Sequence, residues 1–309
     1  MNDNKRTVAG FAFSAALVVA SAILPAHAQD PLDRPLRLDA PTGLPVIPIM
    51  EGAYDNGDGS FTVSFGYLNR NSEELIDIPL GEDNYIEPAF LDGMQPTHFE
   101  TRRHMGVFTV TVPASMEGES IWWHIRTPGH DLLKVPGRLG KMGYTLDMSP
   151  RPQGSVAPRA WFKEGGEIGH DPMGLTAEDT VSAKVGEPTT LTIHTEDISV
   201  RDPNDPRYEK PAPLGVTWWK HQGAGQVSFS RHPDMHEAEP IGTGRRQRMP
   251  EDNEIRLIDA KGTAKILATF SEPGDYMIRT RIDNWSASDS SYNDQCCWTN
   301  MYQKVTVTD

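Results

Sequence analysis

With only two cysteines in 309 residues, Cys296 and Cys297, the chain has no disulfide framework, because adjacent residues cannot staple distant parts of a fold. Long apolar runs are missing beyond Leu24, so nothing downstream reaches the roughly 18 apolar residues of a membrane helix. Helical spacing of apolar residues is missing too. Basic charge is in deficit: 29 Lys and Arg stand against 43 Asp and Glu, a net charge of -14, which repels nucleic acid and anionic lipid surfaces. The one basic cluster, Arg245, Arg246 and Arg248, is followed by Glu251 and Asp252 and reads as a solvated loop. The sequence holds no G-x-S-x-G elbow, H-E-x-x-H pair, P-loop or dinucleotide fingerprint, and Gly242-Thr243-Gly244 is a lone G-x-G. No constellation marks an enzyme, and none is expected.

What is present first is an address. Lys5 and Arg6 precede an apolar run from Val8 to Leu24, Pro25 breaks it, and Ala26-His27-Ala28 supplies the small-x-small pattern of a signal-peptidase site. Cleavage is expected after Ala28, placing the mature chain in the bacterial periplasm, in the medium or at the cell surface. No cysteine follows the site, which argues against a lipid anchor. Removing Asp3, Lys5 and Arg6 takes the balance to 27 − 42 = −15.

The rest reads as β structure, rich in turns, with 25 prolines and 27 glycines. Phe61-Thr62-Val63-Ser64-Phe65-Gly66-Tyr67 alternates after the turn residues Asn56 to Gly59. Val107 to Val112, Ile121 to Ile125, Thr189 to Ile193, Val216 to Trp219, Ala264 to Phe270, Tyr276 to Ile282 and Val305 to Val307 follow the same pattern, as does the short segment Tyr144 to Leu146. Short strands between Gly, Pro and Asp loops predict an all-β chain of sandwiches or barrels. Proline density divides it: 1–28 signal peptide, 29–48 extended lead-in whose far end pairs as an edge strand, 49–147 a first sandwich, 148–158 a Pro-rich linker, 159–309 a second sandwich.

In the second half, "VGEPTTLTIHTEDISV", "LGVTWWKHQGAGQVSFS", "AKILATFSEPGDYMIRTRIDN" and "YQKVTVTD" follow one order over most of residues 180 to 309. This order resembles bacterial exported immunoglobulin-like modules of the PKD kind. Val216 and Trp218 then share an inward face, with Val227 and Phe229 facing them across the Gly223-Ala224-Gly225 turn. In the first half, "NGDGSFTVSFGYLNRN", "IPLGEDNYIEPAFLDGMQPTHFETRRHMGVFTVTVP" and "IWWHIRTPG" resemble a second bacterial secreted or surface module of undefined activity. The two resemblances imply immunoglobulin-like β-sandwich domains in tandem and little about chemistry. The pairs Trp122-Trp123 and Trp218-Trp219 are read as lying on corresponding strands.

In that register residues 284 to 301 form a loop at one end of the second sandwich, where immunoglobulin-like domains bind. Its candidate binding residues are Trp285, Tyr292, Cys296, Cys297 and Trp298. Adjacent Cα atoms lie ~3.8 Å apart, below the ~4.4 Å of ordinary disulfides. Three states are open to the pair: a strained vicinal bond, buried thiols or a bond to another chain, and metal ligation. His232 and His236, with Met235 between them, are the candidate copper or zinc ligands, and Asp202, Asn204 and Asp205 the candidate calcium ligands. Asp55, Asn56 and Asp58 read as a hairpin turn. The first functional reading is a non-enzymatic exported protein, needing no cofactor, that recognises or adheres to an envelope or surface protein or a glycan. The alternative is a periplasmic metal-handling or redox accessory protein using the Cys pair and the His-x-x-x-His loop.

Overall fold

Alternating apolar and polar residues become strands wherever one face can be buried. The computed structural model describes residues 40–146, 154–242, 247–290 and 297–309. The first half contributes β1 (Val46–Asp55), β2 (Phe61–Asn69), β3 (Ile76–Asp77), β4 (Asn84–Glu87), β5 (His98–Phe99), β6 (Arg102–Val112), β7 (Ser120–Ile125) and β8 (Leu133–Arg138). Sheets β1-β2-β6 and β4-β7-β8 enclose a core that includes Val63, Phe65, Phe108, Ile86, Ile121 and Trp123. Strands β3 and β5 form a short ribbon beside them.

The second half contributes β9 (Arg159–Trp161), β10 (Gly169–His170), β11 (Leu175–Lys184), β12 (Thr189–Glu196), β13 (Leu214–Gln222), β14 (Val227–Arg231), β15 (Glu254–Leu257), β16 (Lys261–Phe270), β17 (Gly274–Asp283) and β18 (Trp298–Thr308). They build two five-stranded sheets, β10-β9-β12-β16-β14 and β11-β18-β17-β13-β15. Naming the strands A to G in chain order, β9, β12, β16 and β14 occupy A-B-E-D, and β13, β17 and β18 occupy C-F-G. This is the immunoglobulin Greek key. The first half repeats it in reduced form, with β1-β2-β6 as A-B-E and β4-β7-β8 as C-F-G. The protein is therefore all-β, with two immunoglobulin-like sandwiches, and Leu38–Asp309 forms one compact unit. Among the described residues, no helix is long and apolar enough to cross a membrane.

All seven long alternating segments, and the closing Val305 to Val307, fall inside strands. Trp218 faces the core at 1 % exposure, together with Val216. The turn after β13 carries the chain to the opposite sheet, so Val227 and Phe229 pack across the core. Other expectations are corrected. The tryptophan pairs do not correspond, because Trp123 lies on an F-position strand and Trp218 on a C-position strand. Tyr144 to Leu146 is no strand: Met142–Tyr144 is a single 3-10 turn, and Thr145 makes only one bridge, to Ala53. A three-residue run is too short to sustain a ladder. The end of the lead-in does pair, as Val46, Ile47 and Pro48 oppose Asn69, Leu68 and Tyr67 at an edge that tolerates proline.

Trp218→Ala should cost about 3–5 kcal/mol, the usual loss for a large aromatic removed from a core. Urea unfolding followed by circular dichroism measures it, and an unchanged midpoint would show that Trp218 carries little of the packing.

Candidate functional site: the end loop and the seam

The two sandwiches meet along a seam made mostly of polar groups. The end of β13 docks on the loop Gly93-Met94-Gln95-Pro96-Thr97. Nε2 of His221 donates to the Met94 carbonyl at 2.8 Å, and the Thr97 amide donates to the His221 carbonyl at 2.8 Å. Nε2 of Gln222 donates to the carbonyls of Gly93 and Gln95, each at 2.8 Å. Lys220 sends its ammonium to Asp77 Oδ1 at 2.9 Å and to the Gly225 carbonyl at 2.8 Å. The same Asp77 oxygen lies 2.8 Å from Nδ1 of His98. The second contact joins β18 to β6. Nδ2 of Asn300 donates to the Gly106 carbonyl at 2.7 Å, and the Tyr302 hydroxyl donates to the Val107 carbonyl at 2.8 Å. A third joins the Tyr54 hydroxyl to Asp171 at 3.2 Å.

Local irregularities shape β6 for this contact. Pairing of β1 with β2 slips at Glu51, and pairing of β2 with β6 slips after Phe65, the signature of β-bulges. The Glu51 carboxylate takes Nη2 of Arg103 at 2.7 Å on both oxygens, and burial raises its pKa against the pull of Arg103. A side chain at Gly66 would collide with that carboxylate and with the His104 carbonyl. At Gly106, with φ of 52°, a Cβ would run into the Trp298 ring.

That contact changes the reading of the end loop. Trp298 is 1 % exposed, opens β18 opposite Asp283, and packs on Gly106. It is a seam residue and presents no surface to a ligand. The strand begins seven residues before the expected Val305, and its polar seam residues Thr299, Asn300 and Gln303 hid it from an alternation search. Cys297 is fully buried, has a φ of 80° and is disulfide-bonded; its carbonyl accepts the Asn284 amide at 3.3 Å. Tyr292 and Cys296 lie outside the described residues. Trp285 is half-buried, with the Arg281 guanidinium 4.3 Å from its ring and Trp298 at 6.0 Å.

The described stem of the loop is anchored from below. Asp289 accepts the Ser155 amide at 3.0 Å and Nε of Arg201 at 3.2 Å. Arg201 also reaches Asp197 at 2.9 Å, while Asn284 donates to the Val156 carbonyl at 2.9 Å. Gly154 to Pro158, expected as linker, thus lies along the second sandwich. This network has no sequence signature, since its members come from three separated segments.

Of the candidate metal ligands, Cys296 lies outside the described residues. Among the described residues no three His, Cys, Asp or Glu side chains gather as a metal needs. Nδ1 of His232 accepts the Asp234 amide at 3.1 Å, and His236 lines a cavity of about 360 Å³ with Arg231, Arg256 and Ile258. Asp202 accepts the Asn204 amide and Asp205 caps the turn before Arg207. Asp55 and Asp58 likewise bond the amides of Gly57 and Ser60, a hairpin turn.

Electrostatically the seam holds neutral histidines among arginines. Burial, and then Arg279, push the pKa of His221 down to about 3; burial with Arg279 and Arg281 does the same to His104. Arg279 is 2 % exposed and lies 4.6 Å from the Trp219 ring, which Arg281 approaches at 4.9 Å from its own position. His98 departs in the other direction: burial lowers its pKa, but the bonds to Asp77 and Glu100 outweigh it and raise it.

No family model and no curated protein matches the chain. Among solved structures, the D00-D0 domain of Intimin aligns over 86 % of this chain and 100 % of its own, at 10 % identity with a TM-score of 0.24. The Yersinia pseudotuberculosis adhesin InvE aligns over 85 % of this chain and 59 % of its own, at 11 % identity and 0.23. CfaE, the adhesive subunit of CFA/I fimbria of enterotoxigenic Escherichia coli, aligns over 88 % and 82 %, at 8 % identity and 0.23. Superpositions this loose carry no argument, and the sandwich assignment rests on the strand order above.

Gly106→Val should force the seam apart by driving a side chain into Trp298. Calorimetry is expected to replace one cooperative transition with two, and a single transition at the wild-type temperature would show that the seam does not couple the sandwiches.

His221 also makes stability depend on acidity. Its folded pKa lies below the unfolded value of about 6.5, so its contribution is complete above pH 6.5 and is lost as pH falls toward 3. Between pH 7 and 4.5 that loss is about 2–3 kcal/mol. His98, Glu51 and Asp283, whose pKa values are raised, oppose it. His221→Gln, which keeps a donor for Met94, should therefore lose about 2–3 kcal/mol less over that interval. Parallel urea midpoints for the two proteins would refute a buried neutral His221.

Proposed function

We propose that the chain is an exported, non-enzymatic bacterial recognition protein of the adhesion or cell-envelope type, working as one rigid two-sandwich arm. In this reading residues 1–28 are removed, 49–147 and 159–309 are the two domains, and a Cys296–Cys297 bond stiffens the end loop. The observation that carries it is the seam: fused by buried hydrogen bonds and an ion pair, the sandwiches hold their loops in fixed relative positions, and preorganised loops bind without a large ordering cost. The Arg201, Asp197 and Asp289 anchor extends that order to the loop stem.

Within the loop, Trp285 is the described aromatic with surface left to offer. Trp285→Ala should leave the melting temperature within a few degrees of wild type and weaken binding to isolated bacterial envelope fractions about tenfold, the scale of an aromatic anchor. Retention of the variant on envelopes equal to that of wild type would overturn the loop as the binding element.

A further inference from the structure

The outward face of the β4-β7-β8 sheet is unusual for a strand surface turned to solvent. Tyr85 opposes His124 and Glu87 opposes Trp122. On the other side Trp122 opposes Pro136, His124 opposes Lys134, and Ser120 opposes Arg138. Directly opposed residues share a face, so these side chains stand together on the side away from Ile86, Ile121 and Trp123, which enter the core. The Tyr85 and His124 rings stack with centroids 4.3 Å apart and planes 6° apart. Nε2 of His124 bonds Glu87 at 2.9 Å, while its buried Nδ1 has no partner among the described residues.

Two cations on this face rest on rings without a carboxylate. The Lys134 ammonium lies 4.6 Å from the Trp122 ring centroid, and the Arg138 guanidinium 5.7 Å from that of Tyr144. Both side chains are exposed, and neither forms an ion pair among the described residues. Elsewhere in this acidic chain cations do find carboxylates, as Arg103, Lys163, Arg201, Lys220 and Arg248 show. A cation parked on an aromatic face is weakly held at an exposed site. It is free to turn to an incoming anion and uncover the ring.

We propose that this face binds an acidic polysaccharide, with Trp122 and Tyr85 packing against sugar C–H faces and Lys134 and Arg138 pairing with uronate carboxylates. Lys134 and Arg138 are four residues apart on one strand, about 13 Å, so the two can pair with carboxylates on different sugars of one uronate chain. The net charge of -14 opposes every polyanion, and most of all densely charged ones such as nucleic acid or an anionic bilayer. The face lies on the first sandwich and is independent of the Trp285 loop.

Calorimetric titration of the purified chain with polygalacturonate, alginate and uncharged dextran tests this. Binding to a polyuronate but not to dextran is expected. The double variant K134Q/R138Q should weaken it at least about tenfold, the loss of one charge-assisted contact, with an unchanged melting temperature because both positions are exposed. Trp122→Phe should weaken it by reducing the stacking surface, and Trp285→Ala should leave it intact, so this site and the end loop fail separately. The proposal is overturned by unchanged affinity in K134Q/R138Q, by equal binding to dextran, by no binding to either polyuronate, or by tighter binding of duplex DNA or anionic vesicles.

Discussion

Lys220, His221 and Gln222 leave the second sandwich at the end of one strand and enter the first as if they belonged to it. Their side chains and backbone together satisfy carbonyls and amides of the Gly93 to Thr97 loop, and the Lys220 charge is met by Asp77. A buried ammonium without a partner is costly, and a buried ion pair gives more specificity than stability. The seam is thus built less like a hydrophobic dimer interface than like a keyed joint, in which a shifted docking would strand several buried polar groups at once.

The rest of the molecule is arranged around that joint. Bulges at Glu51 and next to Gly66 bring β6 to the β18 strand, and Gly106 leaves the space that Trp298 fills. Because Trp298 follows Cys297 directly, the foot of the end loop is tied to the interface between sandwiches. Any ordering of the loop and any ordering of the seam are therefore linked through β18. His104 and His221 stay neutral here first because they are buried and then because Arg279, which lies near both, depresses each of them further. His104 and His221 are consequently uncharged near neutral pH and gain unfavourable charges in acid.

Rigid fusion also separates the roles of surfaces. Under the proposals above, the end loop of the second sandwich and the aromatic face of the first would be presented by one body, and two weak contacts made together would reinforce one another when their spacing fits a partner. On the first sandwich, the core side of β7 carries Trp123 and its solvent side carries Trp122. Adjacent tryptophans thereby divide between the core and the outer face, whereas at the second pair Trp218 enters the core and Trp219 is half-buried against His104, Arg279 and Arg281.

Alternation alone was enough to locate the strands that bury one face, because a period of two is imposed by the strand backbone itself. Composition likewise determined the acidic character and the absence of a disulfide framework. The candidate site was legible only in part. Trp285 and Trp298 looked equally available, yet Trp285 is half-buried and Trp298 is buried, since nothing local distinguishes an indole facing solvent from one facing a glycine 192 positions earlier. The Gly93-Met94-Gln95-Pro96-Thr97 stretch was visible as part of the resemblance in the first half, and its use as a docking loop was not, because its partners are carbonyls and amides that every residue possesses. The His-x-x-x-His spacing was visible as well, yet metal ligation needs convergence in three dimensions. Which polar residues are buried, and against what, is set by contacts between segments far apart in the chain, and tertiary structure alone decides those.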